Sequence, residues 1–93
     1  MEVRFHIDPD TAEPHVYNHG VSEDEVIDVL RDPGEDRAGY GGARVSIGQT
    51  RGGRYLKVIY VEDREAEDIF VVTAYELTGK ARLAYRRRRR RRS

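Results

Sequence analysis

Ninety-three residues bound one small domain with a modest core. The chain has no cysteine, which excludes a disulfide framework and a cysteine-ligated metal, and its apolar runs are too short to span a membrane. The formal charge is zero only on average: all 17 acidic residues lie within 1–85 against ten Lys and Arg (17 less the seven of the terminal arginine run), so an acidic body of about −7 carries a tail of about +7. An acidic body is not, as a whole, a polyanion binder. Nucleic-acid affinity is therefore expected only from the tail or from a local basic face. The opening MEVRFHIDPD lacks a cationic segment followed by an apolar one, so no secretory signal is read there and a cytoplasmic location is expected.

The first element is EVRFHID. Val3, Phe5 and Ile7 alternate with Glu2, Arg4, His6 and Asp8, the pattern of a half-buried strand. DPDTAEP follows as a turn or one short helical turn, with Asp8 as cap and Pro9 in first position. Pro14 lacks an N–H and clashes with a preceding helical turn, so any helix restarts there and runs through His19. VSEDEVIDVLRDPG is the clearest helix. Ser22 and Glu25 form a capping box, Val21 and Val26 sit as a hydrophobic staple, and Val26, Val29 and Leu30 make an apolar stripe. Glu23, Asp24 and Glu25 suit the positive end of the helix dipole, and Pro33-Gly34 stops the helix.

Glu35 to Gly42 is polar and glycine-rich and reads as a loop. Its glycines match neither phosphate-loop spacing. ARVSIGQT, RYLKVIYVE and EDIFVVTAYE are three strand-like runs, joined by Arg51-Gly52-Gly53 and by Asp63–Glu67. Such short connections favour an antiparallel meander. LTGKARLAYRRRR has helical composition, with Leu77, Ala81, Ala84 and Tyr85 as a stripe facing the sheet. Crowded like charges predict that the arginine run frays beyond Tyr85 or a turn later. The expected fold class is α+β: a small antiparallel sheet, made of the meander plus the N-terminal strand, with helices packed on it. Residues 1–85 form the domain and 86–93 a poly-arginine tail.

Laid out in this order, the chain resembles the BrnT-type toxins of the RelE-like superfamily. FHIDPDTAEPHVYNHGVSEDEVIDVLRDP is similar to their opening: a Phe-x-Trp-Asp start, a His-Gly-Val-Ser entry to a helix and an Asp-Pro stop. IGQTRGGRYLKVIYVE is similar to their Gly-Arg-Thr…Gly-Arg hairpin, and IFVVTAYELTGKARLAY to their last strand and helix. The resemblance covers nearly all of 5–85. VVTAYE with an upstream histidine also looks like a related family of unknown function in that superfamily. The resemblance implies a small sheet with packed helices and a metal-independent endoribonuclease that needs no cofactor. It further implies RNA as substrate and an antitoxin-like protein as neutralising partner. The chain departs from the pattern in three places. Thr73-Ala74-Tyr75-Glu76 stands where the family has roughly Ser-Ala-Arg-Arg, Ala81 stands before Arg82 in place of Glu, and Ile7 replaces Trp. A non-catalytic RNA- or protein-binding module of the same fold is the alternative function.

Metal-independent RNA cleavage by the 2′-hydroxyl needs a proton acceptor, a proton donor and cations for the developing charge. The candidate catalytic residues are His15, His19, Arg54, Tyr75, Arg82 and Tyr85. His15 and His19, four apart, share a face on a continuous helix, and imidazole titrates near neutrality. The same spacing suits a metal pair, but no HExxH or third ligand accompanies it, so no metal is expected. A packing or capping role is the alternative for both. Arg44, Arg51 and Lys57 join Arg54 on one basic hairpin, where an arginine fork can clamp phosphate. Arg86 and Arg87 open the tail, which can contact phosphates without reading sequence. These five cations outside the catalytic set (Arg44, Arg51, Lys57, Arg86, Arg87) are the candidate RNA-binding residues. The strand tyrosines can stack on bases or pack in the sheet.

Overall fold

Two hydrophobic faces have to be covered in this chain, and one sheet serves both. In the computed structural model, which describes residues 2–92, the strands are β1 (Val3–Phe5), β2 (Glu35–Ala38), β3 (Arg44–Gln49), β4 (Tyr55–Asp63) and β5 (Asp68–Glu76). The helices are α1 (Glu23–Arg31) and α2 (Gly79–Arg92), with short 3-10 segments at His15–His19 and Tyr40–Gly42. The strand order is β1-β5-β4-β3-β2. β2 to β5 run as an antiparallel meander, as the short connections require. β1 lies parallel to β5, with Val3 opposite Ile69 and Phe5 opposite Val71. The fold is α+β, but the sheet is mixed and not antiparallel as expected. The chain leaves β1 by a long crossover through α1 and the meander, and only a crossover of that kind can return a strand parallel to an earlier one.

α1 forms where its caps and stripe place it. The Ser22 hydroxyl accepts from the Glu25 N–H at 3.2 Å, and the Glu25 carboxylate accepts from the Ser22 N–H at 3.1 Å. Its buried Val26 and Val29 join Val16 and Val21 against Leu56, Val58, Tyr60, Ile69, Val71 and Ala74. Each fully buried valine contributes about 1.5–3 kcal/mol over an exposed one. A second cluster lies on the other side of the sheet. There Leu77 and Tyr85 close over Val45 and Ile47, with Tyr55 and Ile59 at its margin. The period of two along β4 divides Leu56, Val58 and Tyr60 from Tyr55, Lys57 and Ile59.

Two further expectations are corrected. Glu35–Ala38, expected as loop, is an edge strand paired to β3, with Glu35 opposite Ile47 and Asp36 opposite Ser46. Its sequence, EDRA, has no apolar alternation to reveal it; cross-strand polar contacts hold it instead. The Asp36 carboxylate accepts from the Tyr60 hydroxyl and, at 2.7 Å, from Arg44 Nε. Burial, and then the bond to Asp36, push the Tyr60 phenol up to about 12. The arginine run, expected to fray beyond Tyr85 or a turn later, continues as helix to Arg92. Arg88 forms a two-pronged pair with Glu35, at 2.5 and 3.0 Å, and Arg89 donates to the Gly34 carbonyl at 3.0 Å. These contacts offset repulsion within the run, and cations near a helix C-terminus suit its dipole. Of the expected α2 stripe, Leu77 and Tyr85 are buried and Ala84 half-buried, while Ala81 is exposed.

Tyr85 can reach β2 only because residue 34 has no side chain. A Cβ there would collide with the Tyr85 hydroxyl and ring carbon Cζ. Gly34→Ala is therefore expected to cost about 1–3 kcal/mol in urea melts, as overpacked sites do. Gly52→Ala, whose Cβ would meet nothing nearer than Thr50 Oγ1 at 3.8 Å, is the control and should change stability by less than about 1 kcal/mol. Equal losses in the two variants would show that Tyr85 does not dock there.

Candidate functional site

α2 covers only the β3–β4 part of its side of the sheet. The part formed by β5, β1 and the outer half of β4 carries no helix, and its side chains are half-buried or exposed. Tyr75 and Lys57 stand opposite each other there, as do Phe70 and Val61. β1 adds Arg4, and the residue after it, His6, donates its N–H to the Val71 carbonyl at 2.9 Å. The chain then turns at Asp8, whose carboxylate accepts from the Asp10 N–H at 2.8 Å, and comes back so that the His15 N–H bonds the His6 carbonyl. Pro14 sets the start of the 3-10 segment, and Gly20, at φ +70°, ends it in a conformation glycine adopts cheaply.

That return path brings all three histidines of the chain together. Ring centres of His6 and His15 are 5.8 Å apart, those of His15 and His19 5.2 Å, and those of His19 and Tyr75 6.2 Å. Phe70 extends the row past His6 at 6.4 Å, and Lys57 Nζ lies 6.0 Å from the centre of the Tyr75 ring. Six side chains from four segments thus form one aromatic and basic strip. At its centre, His15 Nδ1 is 3.7 Å from an Asp8 carboxylate oxygen and 3.4 Å from Asn18 Nδ2. Asn18 Nδ2 also donates to Asp8 at 2.6 Å. Hydrogen bonds from the Asp10 N–H and from Asn18, with the nearby His15 ring, hold the Asp8 carboxyl below the ordinary carboxylate range. An ionised Asp8 can orient the His15 ring.

His15, His19, Tyr75 and Lys57 are thus neighbours, whereas the other candidates lie elsewhere. Arg54 Nη1 donates to both Glu25 carboxylate oxygens at 2.8 and 2.9 Å and to the Gly20 carbonyl at 3.0 Å, and its Nη2 reaches Glu76 at 3.3 Å. It clamps the start of α1 to the ends of β4 and β5. Arg44 pairs with Asp36 at 2.6 Å and Arg51 with Asp28 at 3.8 Å. Of the four hairpin cations, among the described residues only Lys57 makes no ion pair. Tyr85 is buried beneath α2, where burial raises its phenol pKa. Arg82, Arg86 and Arg87 lie exposed on α2. Sequence reasoning left His6, Asp8, Asn18 and Phe70 out of the site. For His6 a signal existed, since the alternation of EVRFHID sets it on the polar face of its strand. Among the described residues no set of three His, Asp or Glu side chains is placed to hold a metal ion, and no helix is long and apolar enough to cross a membrane.

Comparison of the chain with protein-family models, with curated proteins and with solved structures finds no match in any of the three. The site therefore rests on its own geometry.

Two outcomes follow from the polar contacts. Arg54→Met is expected to lower stability by about 1 kcal/mol, because it removes the half-buried guanidinium's charge-assisted bonds to Glu25 and Glu76 and its bond to the Gly20 carbonyl. Unchanged urea stability would show the clamp to be idle. Asp8 has a folded pKa below its ordinary value of 3.8, so its contribution is full above that value and disappears as pH falls through the folded pKa. Asp8→Asn should therefore melt below the parent at neutral pH, and the two should converge under strong acid. A gap that persists at all pH values would mean that the carboxylate's charge is not what matters.

Proposed function

We propose that this chain is a metal-independent endoribonuclease of the RelE/BrnT type that works from the strip on the open sheet face. The observation that carries the reading is the convergence of His6, His15 and His19 with Tyr75 and Lys57. Two neighbouring imidazoles can divide the two proton transfers of RNA cleavage between them. His15, oriented by Asp8 and Asn18, takes the proton of the 2′-hydroxyl as its oxygen bonds to phosphorus. His19, beside Tyr75, gives a proton to the 5′-oxygen as the P–O5′ bond breaks. The Lys57 ammonium stands nearby to balance charge on the phosphoryl oxygens. The products are a 2′,3′-cyclic phosphate and a 5′-hydroxyl. His6, Phe70 and Tyr75 offer ring faces on which unpaired bases can stack. The resemblance of the chain to BrnT-type toxins supports the same reading and suggests an antitoxin-like protein that covers this face.

A non-catalytic binding module of the same fold is the second reading. It is favoured by the use of Arg54 and Tyr85 in packing, which leaves Lys57 as the hairpin's cation at the strip.

Purified protein should cut single-stranded RNA in EDTA, leave DNA intact, and give cyclic-phosphate ends by mass spectrometry. His15→Ala and His19→Ala should each slow cleavage about 100-fold or more. RNA binding with no turnover would replace the enzyme by the binding module. Neither cleavage nor binding would remove both.

A further inference from the structure

A second concave site lies away from the histidine strip, and none of the strip's residues lines it. It is a cavity of about 430 Å³ between α2, the turn after α1, and the β3–β4 hairpin. One wall is Arg86, Arg89 and Arg90. These are spaced i, i+3 and i+4, so they share one face of α2. Tyr55 and Tyr85 line the cavity with rings 5.9 Å apart, and Gln49 adds an amide. Arg89 is held in place by its bond to the Gly34 carbonyl at 3.0 Å. Among the described lining residues Asp32 is the one carboxylate, beside the three arginines. Glu35, which follows Gly34 in the chain, pairs with Arg88.

We propose that this cavity is a binding site for a ligand that carries a diphosphate group, as inorganic pyrophosphate or as the diphosphate of a nucleotide. Guanidinium forks match phosphate oxygens with paired, charge-assisted bonds. Arg86 to Arg90 spans about 6 Å along the helix axis, so their guanidinium groups are spread over a length that two linked phosphates can occupy. The cavity falls in the size range of small-ligand sites, about 300–1,000 Å³, and the half-buried Tyr55 ring adds an aromatic surface to its wall. The site is independent of the ribonuclease reading, since its test contains no RNA.

The full-length chain would be titrated by calorimetry at fixed ionic strength near 0.15 M with pyrophosphate, orthophosphate, ADP and adenosine. Pyrophosphate should bind at least about tenfold more tightly than orthophosphate. ADP binding more tightly than pyrophosphate identifies a nucleotide as the ligand, and equal affinities identify the diphosphate alone. The double substitution Arg86→Gln/Arg90→Gln should weaken pyrophosphate binding at least about tenfold through two lost forks. Lys80→Gln/Arg91→Gln removes the same charge from exposed positions elsewhere on α2 and should change it less than about twofold. Equal weakening in the two double variants would mean diffuse attraction by the tail and would overturn the site. So would pyrophosphate binding no tighter than orthophosphate, or no binding by the parent chain.

Discussion

β4 lies in the middle of the sheet, so each of its side chains must be buried on one face or the other or put to use. Leu56, Val58 and Tyr60 turn toward α1 and the 3-10 segment; Tyr55, Lys57 and Ile59 turn toward α2 and the open face. That alternation makes two cores of one sheet, and the hairpin's cations are separated by the same geometry. Arg44 stands opposite Tyr60 and meets Asp36, while Lys57 stands opposite Tyr75. Four basic residues close together in sequence therefore cannot form one phosphate clamp. A strand carries its neighbours to opposite faces, and three of the four meet carboxylates from other elements.

The acidic body and basic tail, equal and opposite in charge, meet at one edge of the sheet. Glu35 and the Gly34 carbonyl receive Arg88 and Arg89, and Tyr85 fits where Gly34 leaves room. β2 has little apolar surface of its own, so it depends on contacts from β3 and α2. The reverse holds for α2. Its apolar anchors are Tyr85 and, just before the helix, Leu77, while Leu83 is exposed. Edge strand and terminal helix thus stabilise each other. The tail is part of the fold's architecture as well as a reservoir of positive charge.

On the open face the same logic leaves side chains available. No helix covers the β5–β1 half, yet its rings are held at contact distances by backbone pairing of β1 with β5 and by the return of the chain through Asp8 and Pro14. Rings fixed in this way lose little freedom when a ligand arrives. Asp8 both caps the turn and faces His15, so one carboxylate supports the local fold and orients the imidazole.

The sequence by itself determined the local elements. The Ser22–Glu25 capping box and valine stripe specify α1, Arg51-Gly52-Gly53 specifies the β3–β4 hairpin, and the β-branched runs specify β3 to β5, because these signals act over a few residues. The nearness of His15 to His19 was also legible, since four residues on one turn keep side chains close. Tertiary structure alone decided the rest. The parallel placement of β1 depends on a partner more than sixty residues away, and β2 exists only through its partners, having no apolar pattern of its own. The same applies to the roles of the charged and phenolic candidates. Arg54 and Tyr85 have the chemistry of site residues, but Glu25, Glu76 and Gly34 reach them only through the fold and turn both to structure. His6 joins the site for the corresponding reason: backbone pairing, which composition does not encode, places it beside His15.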